Sequence, residues 1–216
     1  MSKRILLQCQ ALTYLYMGLG AIYTKYKDCS EDLEIDVLFT GDSNVDDFID
    51  KLALSKYVHN IYCINKLDRR KISKRINKLK NNMFGRFLYK KFYQPRAYKM
   101  ISSKIPNLMS YETVFFSHEF DCILISYLKD IAKHIHVVQY GDGSGLLMRK
   151  NTKLINPFYA PRINPFLGEI YPDEVIALAP LIEDGSCEFD NIPVSATDPE
   201  VLSKLIENDV NVQKKN

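Results

Sequence analysis

The sequence lacks the short motifs that most directly assign a function. Its 216 residues contain no GxGxxG dinucleotide fingerprint, no GxxxxGK[ST] phosphate loop and no GxSxG nucleophile elbow. They also contain no run of about 18 apolar residues, so no transmembrane helix is predicted. A signal peptide is not predicted either, because Gln8 and Gln10 interrupt the first apolar stretch and no small-residue cleavage site follows.

Cysteine and histidine are not arranged as they are in metal sites. The five cysteines are scattered without a CxxC pair, and no His/Cys cluster has the spacing of a zinc site. His134 and His136 would share one face of a strand, but two imidazoles without a third ligand make a weak metal site. We therefore expect reduced thiols in a cytoplasmic protein, with neither a bound metal nor a cofactor.

The sequence does contain an alternation of apolar runs and helical patterns. Apolar runs predict strands at residues 4–9, 33–39, 59–64, 112–117, 135–140 and 174–179. Alternation of this kind predicts an α/β fold, in which a Rossmann-like parallel sheet of about five or six strands is flanked by helices. The predicted domains are a Rossmann-like N-terminal domain over residues 1–150 and a loop-rich segment, 151–216, that extends it or begins a second domain.

Positive charge is concentrated in one predicted helical insert, residues 66–100. Residues 66–99 hold 13 of the 29 Lys and Arg residues and a single acid, Asp68. Aromatic side chains join the cations from Phe84 to Tyr93. Three interpretations stay open: a solvated cationic surface, a peripheral contact with an anionic membrane, and binding to a polyanion. Nucleic acid is the least favoured partner, since no nucleic-acid-binding motif accompanies the charge.

The candidate site is the glycine-rich stretch that follows the predicted strand 135–140. Three glycines in residues 141–145 permit close approach of the backbone to a ligand. Asp142 is the only ionisable side chain among those five residues. His118 follows the preceding predicted strand, so we expect His118 and Asp142 at the same sheet edge, where ligands of α/β proteins bind. The alternatives are a tight turn closed by Asp142 and a structural role for His118.

The pentapeptide Tyr-Gly-Asp-Gly-Ser, residues 140–144, resembles the acidic-acidic-Gly motif of bacterial sialyltransferases and polysialyltransferases of the GT-B fold. The resemblance implies an inverting, metal-independent transfer of sialic acid from CMP-sialic acid to a glycan acceptor in capsule or lipooligosaccharide synthesis. Asp142 would be the general base that takes the proton of the acceptor hydroxyl. Gly141, Gly143 and Ser144 would shape the acceptor loop, with His118 as a neighbouring polar contact.

The chain departs from that family at specific points. Gly141 stands where the family often has the first acid, and the His-Pro dipeptide that binds the donor phosphate does not occur. The length is short for two GT-B domains, which fits an N-terminal half, a truncated gene product or a reduced relative. We expect an N-terminal, acceptor-side half, peripheral at the inner membrane face. A second candidate for the acidic motif is Glu183, Asp184 and Gly185, for which the alternative is a surface turn.

The alternative function is a non-catalytic, Rossmann-like binding module. Such a module would keep the cationic surface for a membrane or a polyanion and lack the donor-binding domain. The absence of His-Pro favours this alternative, whereas the position of Asp142 favours the enzyme. The sequence makes no prediction of the oligomeric state.

Overall fold

A seven-stranded parallel sheet forms the centre of the molecule. In the computed structural model, the described residues are 2–41, 56–64, 83–117, 127–128, 134–141, 162–164, 168–170, 172–178 and 192–213. The strands are β1 Lys3–Cys9, β2 Leu33–Phe39, β3 Asn60–Cys63, β4 Thr113–Phe116, β5 His136–Gly141, β6 Arg162–Asn164, β7 Gly168–Ile170, β8 Glu174–Leu178 and β9 Val194–Thr197. Strands β6 and β7 form a separate antiparallel pair.

The strand order of the large sheet is β3-β2-β1-β4-β5-β8-β9, and every neighbouring pair is parallel. This is the order of a doubly wound Rossmann sheet, extended by one strand. The predicted α/β fold is therefore confirmed, with seven strands instead of five or six. The domain boundary at residue 150 stays a prediction, while the sheet itself continues beyond it through β8 and β9.

Helices cover both faces of the sheet. They are α1 Leu12–Lys25, α2 Met83–Leu88, a π-helical turn Tyr89–Tyr93, α3 Gln94–Lys104, a 3-10 turn Leu108–Ser110 and α4 Pro199–Gln213. Successive side chains of a strand point to opposite faces. One face of the sheet packs against α3, while the other packs against α1 and Leu205 of α4. The described helices include none long and apolar enough to cross a lipid bilayer.

Close packing explains why α1 is helical although it contains glycine. Gly18 lies within α1 and lowers its intrinsic helix propensity. A Cβ atom at this position would overlap the side chain of Leu7 on β1 and approach the ring of Tyr140 on β5. The glycine therefore lets α1 lie directly against the two strands, and this packing outweighs the loss of propensity.

The C-terminal helix is longer than the sequence predicts. Asp198 Oδ1 accepts a hydrogen bond from the backbone N–H of Glu200 at 3.0 Å, and Pro199 occupies the first helical position. The sequence predicts a short helix over residues 200–207, with Asp198 or Thr197 as its cap and Pro199 at its first position, and then a polar tail from residue 208. The cap is confirmed, whereas the end near Glu207 and the tail are wrong, because α4 continues to Gln213. Part of the predicted basic insert, residues 66–82, lies outside the described residues, and the chain is helical from Met83.

A buried carboxylate joins the strands near the amino end of the sheet. Asp36 on β2 is 1% exposed. It accepts hydrogen bonds from Arg4 at 3.0 Å, from Asn60 at 2.9 Å and from the hydroxyl of Tyr111. The guanidinium of Arg4 also lies over the Tyr111 ring, 4.8 Å from its centroid. Burial and the bond to Asp36 raise the pKa of Tyr111 above its ordinary value, so this hydroxyl stays protonated and donates.

We expect Asp36→Ala to lower the free energy of unfolding by about 2–4 kcal/mol, because it leaves the partly exposed Arg4, Asn60 and the buried hydroxyl of Tyr111 without their shared acceptor. The matched control is Lys204→Ala on α4, which removes an ion pair with Glu200 at 3.9 Å in which both side chains are largely exposed. Its cost should be roughly 0.5 kcal/mol or less. Urea unfolding measures both, and similar losses in the two variants would contradict the role given to Asp36.

Candidate functional site

The candidate site lies where the order of the strands reverses. From β1 the chain builds β2 and β3 on one side, and β4 then pairs with the other side of β1. From the carboxyl end of β1 the chain therefore continues to β2 on one side, whereas from that of β4 it continues to β5 on the other. In open α/β sheets, ligands bind in the crevice that this divergence creates.

The floor of this crevice is a buried network of amide and hydroxyl groups. Gln8 on β1 is 1% exposed. Its Oε1 accepts from the backbone N–H of Ser117 at 3.1 Å and from the Ser117 hydroxyl at 3.2 Å. Its Nε2 donates to Thr40 Oγ1 at 2.6 Å. One side chain thus joins the ends of β1, β2 and β4.

Two further contacts tighten the floor. Gln10 Nε2 donates to Ser117 Oγ at 3.3 Å, and the backbone N–H of Thr40 donates to the carbonyl of Cys9 at 2.9 Å. A Cβ atom on Gly41 would overlap the carbonyl oxygen of Gln10. Because backbone atoms cannot move aside as a flexible side chain can, only glycine fits at position 41.

The ionisable side chains of the described floor are held neutral. Burial raises the pKa of the Cys9 thiol and that of the Tyr140 hydroxyl above their ordinary values. Tyr140 donates its hydroxyl hydrogen to the carbonyl of Gln8 at 2.8 Å. A neutral thiol is a poor nucleophile, so Cys9 is not suited to covalent catalysis. The described floor therefore supplies a neutral support, and acid–base chemistry would have to come from the residues that follow the strands.

The structure places the strands that lead to the predicted site residues. Strands β4 and β5 are parallel neighbours, with Phe116 paired to Gln139. Gly141 is buried and ends β5, where it pairs with Ala177 of β8. The chain thus leaves β4 at Ser117 and β5 at Gly141 on the same edge of the sheet.

Most of the predicted site residues follow these strand ends directly. His118 comes after Ser117, and Asp142, Gly143 and Ser144 come after Gly141. All four lie outside the described residues, as do Glu183, Asp184 and Gly185 of the second acidic motif. Their roles stay predictions, and the described geometry concerns the strands and the floor beneath them.

The two strand histidines lie at the opposite edge and have separate partners. His134 Nε2 is 3.0 Å from the carbonyl oxygen of Met109. His136 Nε2 is 3.2 Å from Glu174 Oε2. Within the described ranges, no group of three His, Cys, Asp or Glu side chains could hold a metal ion. These histidines therefore join the start of β5 to the 3-10 turn Leu108–Ser110 and to β8, and they do not face the crevice.

Sequence reasoning missed the Gln8 network. The feature that could have indicated it is a glutamine near the end of an apolar strand, because a buried polar side chain needs hydrogen-bonding partners. The identity of those partners depends on β2 and β4 lying on either side of β1, which the sequence does not state.

Comparison of the chain with known proteins gave no match to a protein-family model and no match to a curated protein. The assignment of a function therefore depends on the geometry of the crevice and on the residues that follow β4 and β5.

We expect Gln8→Leu to lower the free energy of unfolding by about 2–4 kcal/mol, because it leaves the buried groups of Ser117 and Thr40 without partners. Gln10→Ala is the control, since Gln10 is only partly buried and water can replace its bond to Ser117. Its cost should be about 1 kcal/mol or less. Equal losses in urea unfolding would show that Gln8 does not hold the floor together.

The raised pKa of Tyr140 predicts a loss of stability in alkali. The folded protein keeps this proton above pH 10.0, the ordinary pKa of tyrosine, whereas the unfolded chain releases it. The stabilisation is therefore complete below that pH and is lost as the pH rises further. Tyr140→Phe should be less stable than the wild type by about 1 kcal/mol at neutral pH, and this difference should shrink in alkali. A constant difference in urea unfolding across the pH series would contradict the prediction.

Proposed function

We propose that the chain is the acceptor-side half of a sialyltransferase-like glycosyltransferase. It would transfer sialic acid from CMP-sialic acid to a hydroxyl of a surface glycan, in capsule or lipooligosaccharide synthesis. The observation that carries the proposal is the position of β5. This strand ends at Gly141 on the carboxyl edge of a doubly wound sheet, directly before the Asp-Gly-Ser that resembles the acidic motif of that family.

In the proposed reaction, Asp142 is the general base. Its carboxylate takes the proton of the acceptor hydroxyl while that oxygen attacks the anomeric carbon of the donor sugar. The bond from the sugar to the CMP phosphate breaks, and the configuration at the anomeric carbon inverts. The nucleotide phosphate is a good leaving group, so one positioned carboxylate suffices and a metal ion is not required.

The described floor supports this chemistry by positioning the chain around it. Both ends of the Gln8 amide are occupied by Ser117 and Thr40, so Gln8 acts as a positioning residue and not as a ligand contact. The network fixes the backbone at Ser117, immediately before His118. Under the proposal, His118 is a polar contact for the acceptor, and Gly141, Gly143 and Ser144 shape the loop that admits it. A rigid support of this kind is what a catalytic group needs.

One sequence feature favours a second function, a non-catalytic binding module. The 216 residues contain no His-Pro dipeptide, which in the resembled family binds the donor phosphate. A chain with the crevice and without a donor site would bind a glycan and leave it unchanged. The same assay separates the two functions, since the module predicts binding of the acceptor without transfer.

We expect Asp142→Ala to lower kcat about 10²- to 10⁴-fold, the usual contribution of a positioned general base. KM for the acceptor should change little, because the lost interaction belongs to the transition state. Asp184→Ala is the matched control, since it removes an aspartate from the second acidic motif. Transfer of labelled sialic acid from CMP-sialic acid to a glycan acceptor measures both variants.

Three results would contradict this assignment. Full activity of Asp142→Ala would remove Asp142 as the base. Loss of activity in Asp184→Ala alone would move the site to the second motif. Binding of the acceptor by the wild-type chain without any transfer would favour the binding module.

A further inference from the structure

The helical segment 83–104 carries an aromatic face that the sheet does not cover. Its other face packs into the core through Ala97, Tyr98 and Ile101 of α3. On the outside, the side chains of Phe84, Phe87 and Phe92 are 68%, 57% and 47% exposed. Single exposed apolar residues are normal on a protein surface, whereas three phenylalanines within nine residues of one helical segment indicate a contact surface.

The π-helical turn directs these aromatic side chains outward. In a continuous α-helix, Phe87, Lys91, Gln94 and Tyr98 would share one face, because their spacing follows the α-helical repeat. Here Gln94 and Tyr98 are buried, while Phe87 and Lys91 are exposed. The π turn Tyr89–Tyr93 changes the repeat between these two pairs and rotates the first part of the segment away from the core.

Cations lie among the exposed aromatic rings. The Nζ atom of Lys91 is 5.6 Å from the centroid of the Phe87 ring and 5.7 Å from that of Phe92. Lys90, Arg96 and Lys99 are also exposed. Residues 69–111 contain no acidic residue, so the segment supplies no negative charge of its own to balance these cations. The face therefore combines aromatic and positively charged side chains.

The C-terminal end of the segment lies at the amino edge of the sheet. There the chain leads through the turn Leu108–Ser110 to the start of β4, and Arg4 near the start of β1 donates to the hydroxyl of Ser110.

We propose that this face docks on the surface of an anionic phospholipid membrane. Phe84, Phe87 and Phe92 enter the headgroup region, where half-buried aromatic side chains are stable, and the neighbouring cations contact lipid phosphates. A soluble polyanion would be attracted by the cations alone and gives no reason for three outward phenylalanines. A lipid surface accounts for both features. The inference does not rest on the proposed transfer reaction.

The test is flotation of the full-length chain with vesicles of phosphatidylcholine and with vesicles that also contain phosphatidylglycerol. We expect binding to the anionic vesicles only. The double variant F84S/F87S should bind the anionic vesicles at least about tenfold more weakly than the wild type, because apolar burial is lost. The double variant K90Q/K91Q should bind at least about fivefold more weakly, because the attraction to lipid phosphates is reduced.

The matched control is Ile206→Ser on α4, which removes an apolar side chain that is 42% exposed on another helix. It should bind as the wild type does. Circular dichroism checks that each variant keeps its fold, and the single variant Phe92→Ser repeats the test if F84S/F87S unfolds.

Three outcomes would overturn the proposal. The first is absence of wild-type binding to the anionic vesicles, and the second is unchanged vesicle binding when the phenylalanines are replaced. The third is tight binding of single-stranded DNA, at the same salt concentration, that depends on these phenylalanines while vesicles do not bind, because aromatic and basic residues also form nucleic-acid platforms. None of these results depends on enzymatic activity, so failure here is distinct from failure of the proposed reaction.

Discussion

The amide of Gln8 is the contact on which the carboxyl edge of the sheet depends. It lies on β1, the strand from which the sheet extends in both directions, and it reaches Thr40 beyond β2 and Ser117 beyond β4. A buried amide must keep its hydrogen bonds, because water is not present to replace them. The chain at Thr40 and at Ser117 is therefore held to the end of β1, and these three strand ends form a preformed floor.

The described charged groups of the sheet lie near its amino edge, where they stabilise the fold, and not in the floor at its carboxyl edge. At the amino edge, Asp36 has the burial and the tyrosine partner of a catalytic carboxylate, yet Arg4, Asn60 and Tyr111 occupy its oxygens. Its position away from the switch point makes it a structural group. The described floor at the carboxyl edge is neutral instead, so a single carboxylate placed above it would be the dominant local charge.

The sequence predicts the first two strands well because both are continuous apolar runs buried on both faces, as central parallel strands are. It misses β9, because this strand has only four residues, follows a proline and is mostly half-buried or exposed. It underestimates α4, because polar residues predominate after Glu207, although Leu202, Ile206 and Val210 keep a four-residue spacing. The partners of Gln8 depend on strand order, and strand order is a long-range property that local patterns do not encode. The residues proposed for catalysis come from a local motif, which is why the sequence could suggest them.

The π turn Tyr89–Tyr93 decides which side chains of the helical segment 83–104 face solvent. A regular α-helix would have continued the core-facing row of Gln94 and Tyr98 back to Phe87, and the start of the segment would then have faced the sheet. One change of helical repeat turns Phe87 outward instead, where its ring is 57% exposed. Under the two proposals together, the membrane that holds the chain would also hold its acceptor.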